Sequence, residues 1–212
     1  MSIIFHKKNQ TIKPFAICEV IYTNQLKILR PNSDKEILEI LNQPSQYEKG
    51  FRILMQKYQE PIYWHIRRMV KNHEDANDVV QNTFIKVYKG ISKFKQDSKL
   101  YTWLYRIATN ETITFINKNK KQKGTSIDDE NGIENKLIAE EYSDSDRIVF
   151  RLKKAIDLLP EKQKLVFNMR YYDEMTYKQI SEILDTSVGG LKASYHHAVK
   201  KIEQYFVANE QP

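Results

Sequence analysis

The sequence is poor in cysteine, glycine and proline, and it has no long uninterrupted hydrophobic run. Its one cysteine, Cys18, excludes a disulfide within the chain, and six glycines and six prolines in 212 residues are few for an all-β protein. The apolar stretch from Pro14 to Tyr22 is short and interrupted by Glu19, so it predicts neither a membrane span nor a signal peptide. These absences predict a helical protein that stays in the cytoplasm, without membrane insertion.

Motifs of catalysis and of metal binding are also missing. The sequence has no Cys/His cluster with metal-ligand spacing, no glycine-rich phosphate loop and no nucleophile elbow. His196 and His197 are neighbours on a predicted helix, so their side chains point apart rather than towards a shared metal. We therefore predict no catalytic residue, no metal, no cofactor and no enzymatic activity.

Charge is distributed in blocks along the chain. The formal net charge is +7 overall, and residues 33–123 alone carry +7. Residues 124–146 hold eight acids and one base, whereas residues 147–212 are again basic at +3. This pattern predicts two units that face nucleic acid, joined by a solvated acidic linker. Residues 1–32 lack a helical period, and they form an N-terminal extension to which no role is assigned.

Hydrophobic spacing predicts helices throughout residues 33–123. Ser33 and Glu36 have the spacing of a capping box, and Asn72 precedes another helix as its cap with Asp75 at the third position. Pro61 lies inside a long helical stripe and predicts a break or a kink. After a polar loop at Ser92–Lys99, a further helix has the apolar face Leu100, Trp103, Leu104, Ile107, Ile113 and Ile116.

The second basic unit, residues 147–206, predicts four helices followed by a tail at 207–212. Ile148, Leu152, Ile156 and Leu159 form one helix face, and Pro160 is expected as the first residue of the next helix. Thr176 and Gln179 make a capping box, and Asp185-Thr186-Ser187 turns the chain into a long last helix. The short helix, tight turn and second helix predict a helix-turn-helix, although a plain helical hairpin is the alternative. The fold class is therefore all-α, with two small helical domains.

The outer face of the last helix favours DNA binding over a plain hairpin. Small and polar residues come first, where side chains enter the major groove, and cations follow, where phosphates lie. The residues expected to contact DNA are Ser187, Gly190, Lys192, Ser194, His197, Lys200 and Lys201.

Several of these segments resemble conserved regions of sigma factors of the sigma-70 family. The segments Thr176–Leu184 and Ser187–Lys192 look like region 4, and Leu158–Gln163 is similar to its lead-in helix. His73–Phe84 resembles the polymerase-binding signature of region 2, and Trp103–Asn110 resembles its promoter-melting helix. With two motif groups this close together, the chain is identified as a member of the small extracytoplasmic-function (ECF) type.

The resemblance implies a promoter-specific initiation factor with core RNA polymerase and promoter DNA as partners. The resemblance leaves open whether an anti-sigma factor is a further partner. Residues 33–123 would be sigma region 2 and residues 147–206 sigma region 4, which reads the minus-35 element. The acidic linker resembles the segment that enters the polymerase channel towards the active site, and a simple tether is the alternative.

One helix face is expected to dock on the clamp helices of the largest polymerase subunit. It combines polar groups with apolar ones, as a protein-binding face requires. Without the resemblance, these residues would be interpreted as a solvated face with Phe84 in the core. The expected contacts are Asp78, Val79, Gln81, Asn82 and Phe84.

Around the second motif, aromatic residues alternate with cations. Rings stack on unpaired bases while cations hold the backbone, and the resemblance implies that the 92–99 loop captures flipped bases of the minus-10 element. A core position is the alternative for both Phe94 and Trp103. The expected minus-10 contacts are Lys93, Phe94, Lys95, Lys99, Tyr101, Trp103, Arg106 and Asn110.

Some positions depart from the family pattern. Thr109, Thr114 and Asn117 stand where the melting helix usually has Arg, Asp and Arg, and Ser194 and His197 stand where the recognition helix commonly has Arg. We expect these shorter side chains to alter base reading and to weaken the grip on phosphates.

Two other classes of function remain to be distinguished. A stand-alone transcriptional regulator would use the helix-turn-helix on duplex DNA without polymerase, but it leaves the two region 2 motifs unexplained. A helical adaptor or anti-sigma-like protein would need no base-reading face.

Overall fold

The computed structural model describes residues 33–122 and 144–209, and all regular structure in these two stretches is helical. The first stretch contains α1 (Asp34–Leu41), α2 (Tyr47–Arg67), α3 (His73–Gly90) and α4 (Leu100–Gln122). Single turns of 3-10 helix lie at Pro44–Gln46 and Ile91–Lys93. The second stretch contains α5 (Asp144–Asp157), α6 (Glu161–Tyr171), α7 (Tyr177–Leu184) and α8 (Val188–Ala208). The predicted all-α fold is confirmed for these residues.

Some boundaries differ from the prediction, and others lie outside the described residues. Helix α5 begins at Asp144, inside the predicted acidic linker, whereas residues 124–143 of that linker and the extension 1–32 lie outside the described residues. Pro160 is the N-cap of α6 and not its first helical residue. A difference of one residue at a helix end is within the range over which helices fray.

Local hydrogen bonds fix where two of the helices begin. The backbone N–H of Asp75 donates to Asn72 Oδ1 at 2.7 Å, which confirms the predicted cap of α3. The capping box of α7 is also confirmed, because Gln179 N donates to Thr176 Oγ1 at 3.3 Å and Thr176 N donates to Gln179 Oε1 at 2.8 Å. These side chains satisfy backbone donors that a helix leaves unpaired in its first turn.

We expect Asn72→Ala to lower the free energy of unfolding by about 1 kcal/mol, because alanine cannot accept the bond from Asp75 N. Urea unfolding followed by circular dichroism measures this loss. Asn72→Ser is the matched control, since serine is also an N-cap residue and should retain most of the stability. Equal stability of the alanine variant and the wild type would contradict the role of this cap.

Helix α2 runs unbroken from Tyr47 to Arg67 with Pro61 inside it, so of the two predicted alternatives, a break and a kink, the break is wrong. A proline within a helix removes one hydrogen bond and costs about 3 kcal/mol. Buried residues on both sides of it, Tyr58, Ile62 and Ile66, anchor the helix in the core. Pro61 itself lies on the exposed side of α2. Tertiary packing thus offsets the local cost.

The predicted core face of α3 is confirmed, but that of α4 is partly wrong. Ala76, Val79, Val80, Thr83 and Val87 are all buried. In α4, however, Ile113 is 39% exposed, whereas Thr109 and Thr112 are buried. The Thr112 hydroxyl donates to the carbonyl of Ala108 at 2.8 Å, which removes the cost of burying it.

Ile148, predicted for the core face of α5, is also 42% exposed. Ile156 and Leu159, which follow it on the same predicted face, are buried. The C-terminal part of that face therefore packs as predicted, and its N-terminal end does not.

The two described stretches share one hydrophobic core. Helices α1 to α4 pack sequentially, and α8 packs against α5, α6 and α7. Helix α7 also packs against α4 of the first stretch. Buried residues of α6 to α8, such as Met169, Ile180 and Leu191, belong to the same cluster as Ile62 and Leu104. The described residues of the two stretches therefore pack together through this cluster, although sequence motifs divide them into two units. Other buried residues of α5 and α8, such as Ile156 and Ile202, lie outside it.

Candidate nucleic-acid and protein interfaces

A groove lies between α2 and α3, and we refer to it as the α2–α3 groove. Its apolar lining consists of Phe51, Met55, Val80, Phe84, Ile85 and Tyr88. Asp78 and Gln81, two of the expected polymerase contacts, line the same groove and are exposed. An apolar centre with polar groups beside it is the composition of a protein-binding surface.

The other expected contacts of this face differ in exposure. Asn82 is exposed, whereas Phe84 is 5% exposed and Val79 is 1% exposed. The side chain of Val79 packs in the core, so it supports the surface from beneath. Phe84 belongs to both the core and the groove lining, so the two interpretations of this residue are compatible.

The loop after α3 presents one ring between exposed cations. Phe94 is partly buried, and its ring packs on Trp103 with centroids 5.1 Å apart. Lys93, Lys95 and Lys99 are all exposed around it. The structure therefore brings four of the expected minus-10 residues together at the start of α4, with Trp103 beneath Phe94.

Gly90 allows Trp103 to occupy this position. A Cβ atom at Gly90 would lie 3.3 Å from Cζ2 of the indole, which is closer than ordinary van der Waals contact. The absence of a side chain at the end of α3 thus lets the ring pack closely against the backbone. Trp103 is partly buried and holds Phe94 from one side.

Further along α4, two tyrosines are packed and uncharged. The rings of Tyr101 and Tyr105 lie 4.4 Å apart, and Tyr105 is buried while Tyr101 is partly buried. Burial raises the pKa of both hydroxyls far above the usual value, and the nearby Asp173 carboxylate raises both pKa values further. Both side chains therefore keep their protons.

Arg106 and Asn110, the last two expected minus-10 contacts, are exposed. The Arg106 guanidinium donates to the backbone carbonyl of Glu182 in α7, so it is already engaged within the chain. Thr109, where the family pattern has Arg, is buried, and its hydroxyl lies 3.0 Å from His65 Nε2. Thr109 is therefore not on the exposed surface of α4, where a side chain that contacts DNA was expected. The Thr114 hydroxyl donates to the carbonyl of Asn110 at 2.7 Å.

The expected minus-35 residues form an exposed face on α8. A left-handed Asp185, with φ 50°, ends α7, and Ser187 Oγ accepts from Gly190 N at 3.2 Å to cap α8. Aspartate tolerates this backbone conformation better than most residues. Ser194 is partly buried, and the remaining six residues of the face are exposed: Ser187, Gly190, Lys192, His197, Lys200 and Lys201.

Residues 33–122 and 144–209 contain no group of three or more His, Cys, Asp or Glu side chains that could hold a metal ion. The rings of His196 and His197 have centroids 5.9 Å apart, on adjacent positions of α8. In the same residues, no helix is both long and apolar enough to cross a membrane.

One buried polar cluster was not predicted from the sequence. His65 Nδ1 lies 2.7 Å from Asp173 Oδ2, and Arg68 Nη1 donates to Asp173 Oδ1 at 2.6 Å. His65 is three residues after Ile62 and one before Ile66, so helical spacing places it near the core face of α2. No pattern within the sequence connects it to Asp173.

Family models match both groups of motifs. The model described as sigma-70 region 2 matches residues 54–122, and the model described as sigma-70, region 4 matches residues 150–202. The first match includes α3, the loop and α4, and the second includes the helix-turn-helix of α7 and α8.

Two solved structures have the same fold. The structure of CnrH in complex with the cytosolic domain of CnrY matches 84% of this chain and 100% of that chain, with a TM-score of 0.62 and 16% identity. The sigma factor RpoE of Bartonella quintana, solved with the anti-sigma factor NepR, matches 76% of this chain and 99% of its own, with a TM-score of 0.59 and 19% identity. At these identities, the likeness concerns the fold alone.

Relatives with curated names are similar over most of their length. The "ECF RNA polymerase sigma-E factor" of Haemophilus influenzae is 31% identical over 186 residues, which cover 81% of this chain and 94% of that protein. The protein of the same name from Escherichia coli K12 is 30% identical over 186 residues, covering 81% and 93%. The chain therefore belongs to the sigma-70 family of RNA polymerase sigma factors, in its ECF group.

Proposed function

We propose that this sigma factor binds core polymerase through the α2–α3 groove, melts the minus-10 element with the 92–99 loop and α4, and reads the minus-35 element with α8. The observation that carries this proposal is the presence of three different surfaces on one chain: an apolar groove, an aromatic loop with cations, and a basic helix-turn-helix face. A duplex-binding regulator needs only the third. The chain performs no catalysis in this proposal, and it acts in the cytoplasm with polymerase.

The groove is suited to a protein partner. Its rings and aliphatic side chains supply area for burial, while the exposed Asp78 and Gln81 can form directed polar contacts. An anti-sigma factor is an additional proposed partner, supported by the Bartonella quintana sigma factor that was solved with one.

The 92–99 loop is suited to unpaired bases. Bases stack on aromatic rings, and exposed lysines hold the adjacent phosphates. Phe94 provides the ring, with Trp103 packed behind it, and the lysines at 93, 95 and 99 are exposed beside it. A duplex-binding protein has no use for such a surface.

Holoenzyme reconstituted from core polymerase and this chain should start transcription at promoters that core polymerase alone does not use. In this holoenzyme, the assignment of α8 to the minus-35 element predicts two separable effects of substitution. The Lys200→Ala/Lys201→Ala variant should weaken promoter binding similarly on all sequences. Its log–log salt slope should fall by about 0.9 for each phosphate that is no longer neutralised. Fluorescence anisotropy over a salt series measures this slope. Lys49→Ala/Lys71→Ala makes the same charge change at exposed positions outside α8. An equal change in the control would contradict the assignment.

Substitutions at the start of α8 should instead change which minus-35 sequence is preferred. Lys192→Ala is the direct test, because this exposed lysine makes no helix cap. Ser187 also has a structural role, since its hydroxyl caps α8. Ser187→Thr keeps a capping hydroxyl, so a changed preference in this variant reports base contact and not helix loss. Unchanged preference in both variants would contradict the proposed docking of α8.

A further inference from the structure

A buried charged contact joins the two motif groups of the chain. Asp173 follows α6, and its carboxylate contacts His65 of α2 at 2.7 Å and Arg68, the C-cap of α2, at 2.6 Å. The side chain of Asp173 is 4% exposed and that of His65 is 0% exposed. The second nitrogen of His65 lies 3.0 Å from the Thr109 hydroxyl on α4, so the cluster connects three parts of the fold.

Weaker contacts surround this cluster. The Arg68 guanidinium lies over the Tyr172 ring, 4.6 Å from its centroid, and the His65 ring contacts that of Tyr105 edge-on. Asn168 Nδ2 approaches the carbonyl of Arg68 at 3.5 Å. At another point of the same interface, Lys120 of α4 pairs with Glu161 of α6 at 2.7 Å.

This contact has the character of a two-state element. Asp173 is stable in a buried position only while Arg68 and His65 face it, because a buried charge that loses its partners is strongly destabilising. Partial separation would leave the carboxylate buried and unpaired. The contact is therefore expected to be either complete or fully open to water.

In this arrangement α7 covers one side of α4, whereas most of the outer face of α8 is exposed. Helix α7 packs against α4, and the backbone of Glu182 accepts a hydrogen bond from Arg106. Tyr105 is buried and Tyr101 is partly buried in the same region. The base-reading face of α8, in contrast, stays exposed except for Ser194. Closure thus affects the two proposed DNA-binding surfaces unequally.

We propose that the contact of Asp173 with His65 and Arg68 is an intramolecular latch, which holds α7 against α4 and hinders minus-10 binding until the latch opens. This inference rests on the function proposed above, since it assigns α4 to the minus-10 element. The latch is closed in the free protein. Binding of polymerase and promoter DNA to the two motif groups, once they have moved apart, favours the open state.

The opening itself can be measured without polymerase or DNA. Glu60→Cys on α2 and Glu203→Cys on α8, in a Cys18→Ser background, give two exposed sites for spin labels. Pulsed electron spin resonance should give one narrow distance distribution for the latched protein. Asp173→Asn should broaden it and shift it to longer distances. A broad distribution without the substitution, or the same distribution with it, would overturn the latch.

Binding of a short oligothymidylate provides the second measurement, because stacking tolerates any base. If the open state is populated at about one tenth, releasing the latch should tighten binding by up to about tenfold. Glu174→Gln is the matched control: it removes one negative charge at the next residue, which is exposed. Binding of a minus-35 duplex should stay equal in both variants. Equal oligothymidylate affinity of Asp173→Asn and Glu174→Gln would overturn the proposed hindrance.

Arg68→Gln removes the same contact from the other side and tests the latch independently of any folding defect in Asp173→Asn. Arg68 is partly exposed, so its loss disturbs the core less, and it should also lengthen the spin-label distance. Thermal unfolding by circular dichroism verifies that each variant is folded. Failure of the latch leaves promoter-directed transcription by the wild-type chain unaffected. Failure of the proposed function would instead appear as no transcription with core polymerase, whatever the spin-label distances.

Discussion

Replacing Phe94 by alanine is expected to reduce initiation on a duplex promoter by about tenfold or more, because one stacked base contributes about 1–3 kcal/mol. On a template already mismatched across the minus-10 bubble, part of this defect should disappear, since the cost of opening the duplex has been removed. The measurement is abortive transcription on both templates, with core polymerase in excess. A defect that depends on the template is specific to melting.

Phe94 packs at the edge of the fold, and the same loop provides a control residue. The ring rests on Trp103, so truncation of Phe94 removes a contact at the edge of the fold while most of the core remains. Trp103→Ala is a poorer probe, because the indole also fills the space beside Gly90. Ser92→Ala changes an exposed residue of the same loop without removing a ring. Equal duplex activity of Phe94→Ala and Ser92→Ala would mean that Phe94 does not hold a flipped base.

Helix positions could be predicted from the sequence wherever the signal is local. Asn72, Thr176 and Ser187 accept hydrogen bonds from residues three positions further along, and the capping side chains are visible in the sequence. The core face of α3 follows from aliphatic residues at helical spacing. These interactions involve one turn of helix, so no tertiary information is needed to identify them.

The sequence was less informative where tertiary packing decides the outcome. Pro61 is a strong local signal for a break, yet residues before and after it are anchored in one core and α2 continues. Ile113 matches the apolar period of α4, but the helix is rotated so that Thr109 and Thr112 are buried instead. Threonine can occupy such positions because its hydroxyl finds a partner within the fold, as Thr112 does at the carbonyl of Ala108.

The sequence predicts three groups of contact residues, and these groups stay predictions, but it does not predict how the parts of the fold that carry them are connected. Asp78, Gln81 and Phe84 line the α2–α3 groove, and the other two groups of expected contacts lie on the 92–99 loop with α4 and on α8. The contact between His65 and Asp173 joins residues separated by 108 positions, and no periodicity relates them. The same contact explains why Thr109 faces inward, since its hydroxyl meets the second nitrogen of His65.

Loss of polymerase binding is the expected result of Asp78→Ala/Gln81→Ala. Both side chains are exposed at the α2–α3 groove, so their removal creates no cavity in the core. Residues that dominate an interface typically contribute about 2 kcal/mol or more each, which predicts an affinity for core polymerase that is weaker by more than about tenfold. Fluorescence anisotropy of the labelled sigma factor, titrated with core polymerase, measures this affinity.

Phe84 is unsuitable for this test, whereas α2 provides a matched pair of control residues. Phe84 lines the groove but is also a core residue, and truncation of a buried phenylalanine costs about 3–5 kcal/mol of stability. A Phe84→Ala variant would therefore bind less through unfolding as well as through the missing ring. Gln56→Ala/Glu60→Ala removes the same two kinds of group from exposed positions of α2 that do not line the groove. If both double variants bind core polymerase like the wild type, the α2–α3 groove is not the polymerase-binding surface. If both bind equally weakly, the loss of binding comes from the change in charge and not from the groove. Only a defect confined to Asp78→Ala/Gln81→Ala identifies the groove as the polymerase-binding surface.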